Sequence, residues 1–207
     1  MDTRYWGPSG WQLLHTIAFK SKDPDNLLSS LGEFLPCKFC RNSTKKFIKD
    51  LPYNKHNPAK WLFDIHNKVN HKLRSQCAND PKVINPGPDP VFEQVEKQYE
   101  HKTLDSVIGN EFLLSIAINF KYTPTKLKIQ KLFLKHLAEA YPLFAKFVHE
   151  HPPDFRNYAE WMNKFTHISI EKALSFKSKC KKGKTCRRQN GGNKRLTLRY
   201  RQKGRLI

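Results

Sequence analysis

Leu35-Pro36-Cys37-Lys38-Phe39-Cys40-Arg41 is the stretch around which the chain is organised. Two cysteines separated by two residues put their sulfurs within disulfide reach across one helical turn. The following run, Arg41-Asn42-Ser43-Thr44-Lys45-Lys46-Phe47-Ile48, reads as helix, and Pro36 closes whatever precedes it. The pair therefore stands at the mouth of a helix, where the unpaired N–H groups of the first turn and the macrodipole favour a thiolate. Lys38 and Arg41 add positive charge beside it. The stretch is a reactive dithiol at a helix N-terminus.

The pattern before the dithiol decides the fold. Leu27, Leu31, Phe34 and Leu35 form the buried stripe of a helix, opened by Asp23 as N-cap and Pro24 at N1 and ended by Pro36. A thioredoxin-like reductase needs a strand there. Helix periods continue in both directions and strand alternation is nearly absent, so the chain reads as all-α. Upstream, Ser9 with Gln12 fits a capping box, and Trp11, Leu14, His15 and Ala18 then share one face. Downstream, a third helix runs from about Cys37 to Asp50, and Asn57-Pro58 opens a fourth. His66, Val69, Asn70 and Leu73 share a face of that fourth helix. Buried imidazole and amide groups need partners, so these either bond each other or hold a polar ligand. The proline-rich segment 81–90 reads as a linker, and Val91 to Tyr99 as a short fifth helix packing back on the first unit.

Residues 101–175 continue in short helical patterns, broken by Pro142 and Pro152-Pro153, with no catalytic constellation. The expected organisation is thus residues 1–100 as a helical bundle, 101–175 as a second small helical domain, and 176–207 as a basic tail. That tail holds 13 of the 38 Lys and Arg and none of the 18 Asp and Glu, so the rest of the chain carries only +7 of the +20 net charge. Such a tail suits nucleic acid, an acidic protein or anionic lipid. The five cysteines, Cys37, Cys40, Cys77, Cys180 and Cys186, are too few for a secreted disulfide scaffold in 207 residues. No signal peptide is visible, and the longest apolar run, Phe112 to Phe120, is too short to span a bilayer. A soluble protein made in a cytosol is expected, where a Cys-x-x-Cys is catalytic or metal-binding rather than structural.

Trp6-Gly7-Pro8-Ser9-Gly10-Trp11-Gln12-Leu13-Leu14-His15, then Pro36-Cys37-Lys38-Phe39-Cys40, then His66-Asn67-Lys68-Val69-Asn70-His71-Lys72-Leu73 closely resemble the Erv/ALR family of FAD-linked sulfhydryl oxidases, in that family's order and spacing. The Trp-Gly-Pro-Ser-Gly-Trp form and the unfamiliar C-terminal half are similar to the branch found in large DNA viruses. The resemblance implies a helical bundle clasping FAD, usually as a homodimer. It implies that Cys37 exchanges with substrate and that Cys40 faces the flavin. It assigns Trp11 and His15 to packing on the flavin, Gly7 to close backbone approach and Phe34 to the site lining. His66, Asn67, Val69, Asn70 and Lys72 fall to the adenosine part, with Tyr99 a further aromatic candidate. Electrons would pass from a protein dithiol through Cys37–Cys40 and FAD to O2, giving H2O2; no metal is expected. Substrates would be protein dithiols, including viral thioredoxin-like or virion proteins, and the location the host cytoplasm with its viral factory, and the virion.

The chain departs from the family in two respects, the first being that no residue matches by motif the family's aromatic beyond the His-Asn segment, for which Tyr99 is the candidate. Phe63 stands where many members have the first cysteine of a structural disulfide, which leaves Cys77 an expected free thiol. Cys180-Lys181-Lys182-Gly183-Lys184-Thr185-Cys186 is a candidate shuttle pair, since some members carry a second cysteine pair and the basic neighbours favour thiolates. The rival reading is a zinc-stabilised nucleic-acid-binding protein that uses Cys37, Cys40, Cys180 and Cys186 with the basic tail. Its Cys-x5-Cys half is poor zinc spacing, and it leaves the His-Asn motif unexplained.

Overall fold

A computed structural model describes residues 2–80 and 83–181, with side chains through 177. The described residues are all-α, with no strand. The chain opens with α1 (Thr3–Lys20), continues through the short α2 (Asp25–Ser29) and α3 (Leu31–Phe34), and reaches α4 (Lys38–Asp50) and α5 (Pro58–Cys77). The short α6 (Phe92–Tyr99) packs back on α1. Then follow α7 (Asn110–Asn119), α8 (Pro124–Ala140), α9 (Pro142–Glu150), α10 (Tyr158–Thr166) and α11 (Ile170–Lys181).

Two starts differ from the sequence reading. The first helix begins at Thr3 rather than at Ser9. Asp2 caps it, accepting from the Arg4 N–H at 2.9 Å, and its buried carboxylate is also held by the Arg4 guanidinium. Pro8 lies inside the helix, and Ser9 spends its hydroxyl on the Phe112 N–H at 3.3 Å instead of on a cap. The helix expected from Pro24 to Leu35 is two helices broken at Ser30, with Pro24 rather than Asp23 at the N-cap. The Ser30 hydroxyl donates back to the Asn26 carbonyl at 2.5 Å, offering the backbone an alternative to continuing the ladder. The start of α5 is as read: the Asn57 side chain accepts from the Lys60 N–H at 3.0 Å, with Pro58 at the first helical position.

The centre of the molecule is α7, buried on nearly every side through Phe112, Leu113, Leu114, Ile116, Ala117 and Ile118 and packed between α1 and α10. The apolar run singled out in the sequence is thus a core helix. No helix among the described residues is long and apolar enough to cross a membrane. Gly109 makes the close α1 approach workable. Its φ is +80°, and a Cβ there would lie 2.7 Å from a Leu13 methyl. Aromatic side chains of α9 and α10, with Tyr141 between α8 and α9, fill the far end: Phe144, Phe147, Trp161 and Phe165 lie 5.0 to 6.3 Å from one another in a ring-to-ring network. One hydrophobic cluster runs from Trp6 to Ala173, without interruption across the boundary drawn near residue 100.

Two helix contacts position the site. α5 packs against both α1 and α4, so it connects the N-terminal helix to the dithiol helix. α3 lies against α4 with Gly32 over Lys45, where a Cβ would come 2.8 Å from the Lys45 side chain.

Candidate active site

Cys37 is the N-cap of α4. Leu35 and Pro36 are buried ahead of it, and the Arg41 guanidinium donates back to the Leu35 carbonyl. The turn that presents the dithiol is therefore fixed from both sides. The Cys37 sulfur accepts from the Cys40 N–H at 3.3 Å, the bond an N-cap oxygen would ordinarily make. Both cysteines are half-buried and unbonded to each other, so the pair stands as a dithiol.

The two thiols are unlike. The Cys37 thiol is pulled below the ordinary range, first by a hydrogen bond from the Cys40 thiol and then, against the cost of burial, by the backbone N–H groups of Cys40 and Phe39. The Cys40 thiol is pushed up, because its proton is engaged by Cys37, because it is buried and because the Cys37 thiolate lies beside it. Lys72 opposes that rise. Its ammonium donates to the Ser43 hydroxyl, one turn beyond Cys40 on α4. In the dithiol, then, Cys37 is the available nucleophile and Cys40 holds the proton.

A second cluster joins α1 to α5. His15 Nε2 and His66 Nδ1 are 3.0 Å apart, and the Trp11 ring stacks on His66 at 3.7 Å and 12°. Tyr99 of α6 reaches the same place, 5.3 Å from His15, and stacks on Phe19. Burial and the neighbouring His66 hold His15 down to about 3; burial holds His66 down to about 4, with Asp89 pulling the other way. Both imidazoles are neutral at neutral pH, and one N–H serves the contact between them. His15 is 3% exposed and its Nδ1 has no partner. Depending on the tautomer, that nitrogen is an unspent acceptor or an unspent donor, which a buried polar atom does not ordinarily remain.

The remaining candidates sort around these two clusters. Asn67, Val69 and Asn70 are half-buried on α5, and Asn70 hydrogen-bonds Asp89. Asp89 is gripped by Arg74 in a two-pronged ion pair at 2.9 and 2.6 Å, and Arg74 also donates to the Gly87 carbonyl at 2.8 Å. The proline-rich segment is thereby pinned onto α5. Lys72 is six residues beyond His66, about 240° around the helix, and so faces α4 instead of α1. Phe34 is buried against Phe133 of α8 at 4.6 Å, three residues ahead of Cys37. A Cβ on Gly7 would meet nothing within 4 Å. Phe63, Val95 and Tyr99 form a small separate core with Phe19 and Phe92 against it, and the Lys60 ammonium lies 5.1 Å over the Phe63 ring. Aromatic packing thus surrounds Phe63, and Cys77 is a free thiol.

Ser43 and Asp89 were not singled out in the sequence. Ser43 had a signal, lying three residues beyond Cys40 on the same helical face. Asp89 had none, because its partners are 15 and 19 residues away. Among the described residues no group of three or more His, Cys, Asp or Glu is placed to hold a metal ion. The Cys180 side chain and Cys186 lie outside the described residues, as does most of the basic tail.

Residues 8–86 match the Erv1 / Alr family. The chain is 31% identical over 85 residues to the mitochondrial FAD-linked sulfhydryl oxidase ERV1 of Saccharomyces cerevisiae, an alignment covering 35% of this chain and 45% of the yeast protein. It is 25% identical over 116 residues to the FAD-linked sulfhydryl oxidase of African swine fever virus, covering 50% of this chain and 93% of the viral protein. It is 27% identical over 99 residues to the probable FAD-linked sulfhydryl oxidase R368 of Acanthamoeba polyphaga mimivirus, covering 41% and 69%. The chain thus spans less than half the length of the yeast protein and most of the two viral ones. No solved structure matches it. The matched residues contain the dithiol and the Trp11–His15–His66 cluster, so the similarity to the Erv1 / Alr family falls on the candidate site itself.

Proposed function

We propose that this chain is an FAD-dependent thiol oxidase that makes disulfide bonds in protein substrates. The observation that carries the reading is the pairing of an asymmetric N-cap dithiol on α4 with an aromatic-imidazole cluster that α5 shares with α1. The buried, unpartnered His15 Nδ1 is what fits this cluster to a polar planar ligand, and three relatives are named as FAD-linked. Trp11, His15 and Gly7 would hold the flavin end, with Phe34 lining the site. His66, Asn67, Val69 and Asn70 would hold the remainder with Lys72, whose ammonium bonds Ser43 and acts on Cys40. When bound, FAD supplies the two-electron acceptor that returns electrons to O2 as H2O2.

The residues of the chain perform the exchange. A substrate thiolate attacks Cys37 Sγ of the oxidised pair, and the Cys37–Cys40 bond breaks with Cys40 leaving as thiolate beside Lys72. The second substrate thiolate attacks the substrate sulfur of the mixed disulfide, and Cys37 leaves as thiolate onto the N–H of Cys40. The substrate loses two electrons and two protons; the pair gains the electrons. The depressed Cys37 thiol makes it the better leaving group in that last step.

The finer parts of the proposal follow from the same reading. Cys180 and Cys186 form a shuttle pair, for which the support is that Phe176 stacks on Tyr5 at 4.5 Å and so attaches α11 to the first turn of α1. The enzyme acts as a homodimer, in viral factories and virions, on thioredoxin-like or virion thiol proteins, with the basic tail on nucleic acid or an acidic protein. Two of the three relatives are viral, which supports that setting.

The test is the visible spectrum of the purified chain. A flavin band that bleaches on adding dithiol and recovers in air is expected. The Cys40→Ser variant should keep the band and lose turnover. A colourless protein that cannot be reconstituted with FAD would remove the oxidase reading.

A further inference from the structure

The positive charge of the chain outside residues 176–207 is not spread over the surface. α4 holds Lys38, Arg41, Lys45, Lys46 and Lys49 against a single carboxylate, Asp50, and so carries +4 of the +7 on residues 1–175. Among the described residues its one ion pair is Lys45 with Glu33, at 2.7 Å. Arg41 is spent on the Leu35 carbonyl. Lys38, Lys46 and Lys49 are exposed and make no ion pair among the described residues, Asp50 at the end of the helix included. Between the two cysteines stands Phe39, 55% exposed, the large apolar side chain nearest the reactive sulfurs that is left to solvent.

We infer that this face of α4 docks thiol segments in which Asp or Glu flank the reactive cysteine, with an apolar neighbour of that cysteine seated on Phe39. The inference deepens the reading above and rests on Cys37 as the exchanging sulfur. Lys38 to Lys49 spans about 16 Å along the helix, roughly two screening lengths at physiological salt. An extended segment covers that distance in about five residues. The acidic residues that count are therefore those within about five positions of the cysteine. The field acts on encounter more than on the chemistry, since exposed charges steer association and are screened by salt. Carboxylates beside a cysteine also hold its thiol up, and the cations of α4 offset that effect once the segment is docked. A basic-flanked segment from another molecule meets like charge at every step; the chain's own basic-flanked Cys180-Cys186 stretch would reach Cys37 through its covalent tether and not through this field.

The experiment reads exchange at Cys37 directly, without cofactor turnover. The full chain is made with Cys40, Cys77, Cys180 and Cys186 each replaced by Ser. It is mixed with two single-cysteine peptides pre-activated as thionitrobenzoate mixed disulfides, one flanked by Asp and Glu, the other by Lys. Cys37 takes the peptide sulfur and releases coloured thionitrobenzoate. The expected second-order rate is at least about tenfold higher for the acidic peptide at low salt, with the ratio falling toward one at high salt. In a Lys46→Glu/Lys49→Glu version the ratio should fall severalfold, while the rate with uncharged dithiodipyridine stays the same. Equal rates for the two peptides overturn the docking surface. So does an acidic preference that survives Lys46→Glu/Lys49→Glu unchanged, since it would then come from elsewhere, the basic tail included. No reaction with dithiodipyridine would show instead that Cys37 is unreactive and would remove the oxidase reading with it.

Discussion

Cys37 and Cys40 differ because one caps the helix and the other lies inside it. The thiol-to-thiol bond is the leading cause of the Cys37 depression, ahead of the backbone N–H groups. Removing that donor should raise Cys37 toward an ordinary thiol; keeping a hydroxyl in its place should not. In full-length chains with the other three cysteines replaced, the pH midpoint for alkylation of Cys37 is expected about one unit higher in Cys40→Ala than in Cys40→Ser. Identical midpoints would mean that the backbone N–H groups set the value alone. The histidines make a second residue-scale prediction. Both titrate below their unfolded value of about 6.5. The unfolded chain therefore takes up protons first as pH falls. The stability that these groups contribute is complete above about 6.5 and is lost on the way down toward about 4 and then about 3. The unfolding free energy obtained from urea titration should drop between pH 7 and 5, by up to about 1.4 kcal/mol per pH unit for each histidine. A His15→Gln/His66→Gln variant should show a visibly flatter pH dependence over that window, and an unchanged slope would place the linkage in other groups.

At the scale of elements, the dithiol helix and the start of α5 were legible because their signals are local. Pro36 ahead of Cys37, and Asn57 followed by Pro58, each fix a boundary within three residues. The face of α5 bearing His66, Val69 and Asn70 was legible as an anomaly, polar groups on an apolar stripe. What they face was not, since His15 is 51 residues away. The Ser9 capping box failed for the opposite reason. Its local pattern is sound, but Asp2 offers an earlier cap, and α7 claims the Ser9 hydroxyl from the other end of the core. The break at Ser30 reflects a side chain that competes with the backbone, and helix periodicity does not register that. Gly109 is where an element depends on one residue. Alanine there must adopt a left-handed backbone and push against Leu13 at 2.7 Å. Gly109→Ala should destabilise the chain by about 1 to 3 kcal/mol, seen as a lower urea midpoint with unchanged helicity before the transition. A change of a few tenths would mean that the α1–α7 contact shifts to absorb it.

At the scale of the molecule, the site residues lie in residues 1–100, yet the helix that carries Trp11 and His15 is supported from beyond them. Trp6 packs on Phe112 at 5.7 Å, Leu13 lies against Gly109, and the Ser9 hydroxyl meets the Phe112 N–H. Leu13 and Ile17 are wholly buried, and Trp6 and Leu14 nearly so. Uncovering large apolar side chains costs about 1.5 to 3 kcal/mol each, and a domain has only about 5 to 15 kcal/mol in all. Losing the Phe112 and Gly109 contacts from Trp6 and Leu13 alone therefore removes a large share of the total. A shared core of this kind is invisible to a reading that divides the chain by composition, because nothing in residues 101–119 announces which earlier helix they cover. The sequence motifs locate the chemistry, while the stiffness of the helix that holds it depends on α7. A fragment ending at residue 100 is accordingly expected to lack a cooperative unfolding transition and to expose apolar surface to a dye such as ANS, whereas the full chain melts in one step. If the fragment instead unfolds cooperatively at a midpoint close to that of the full chain, α1 is held by α5 and α6 alone, and residues 101–175 are a separable domain.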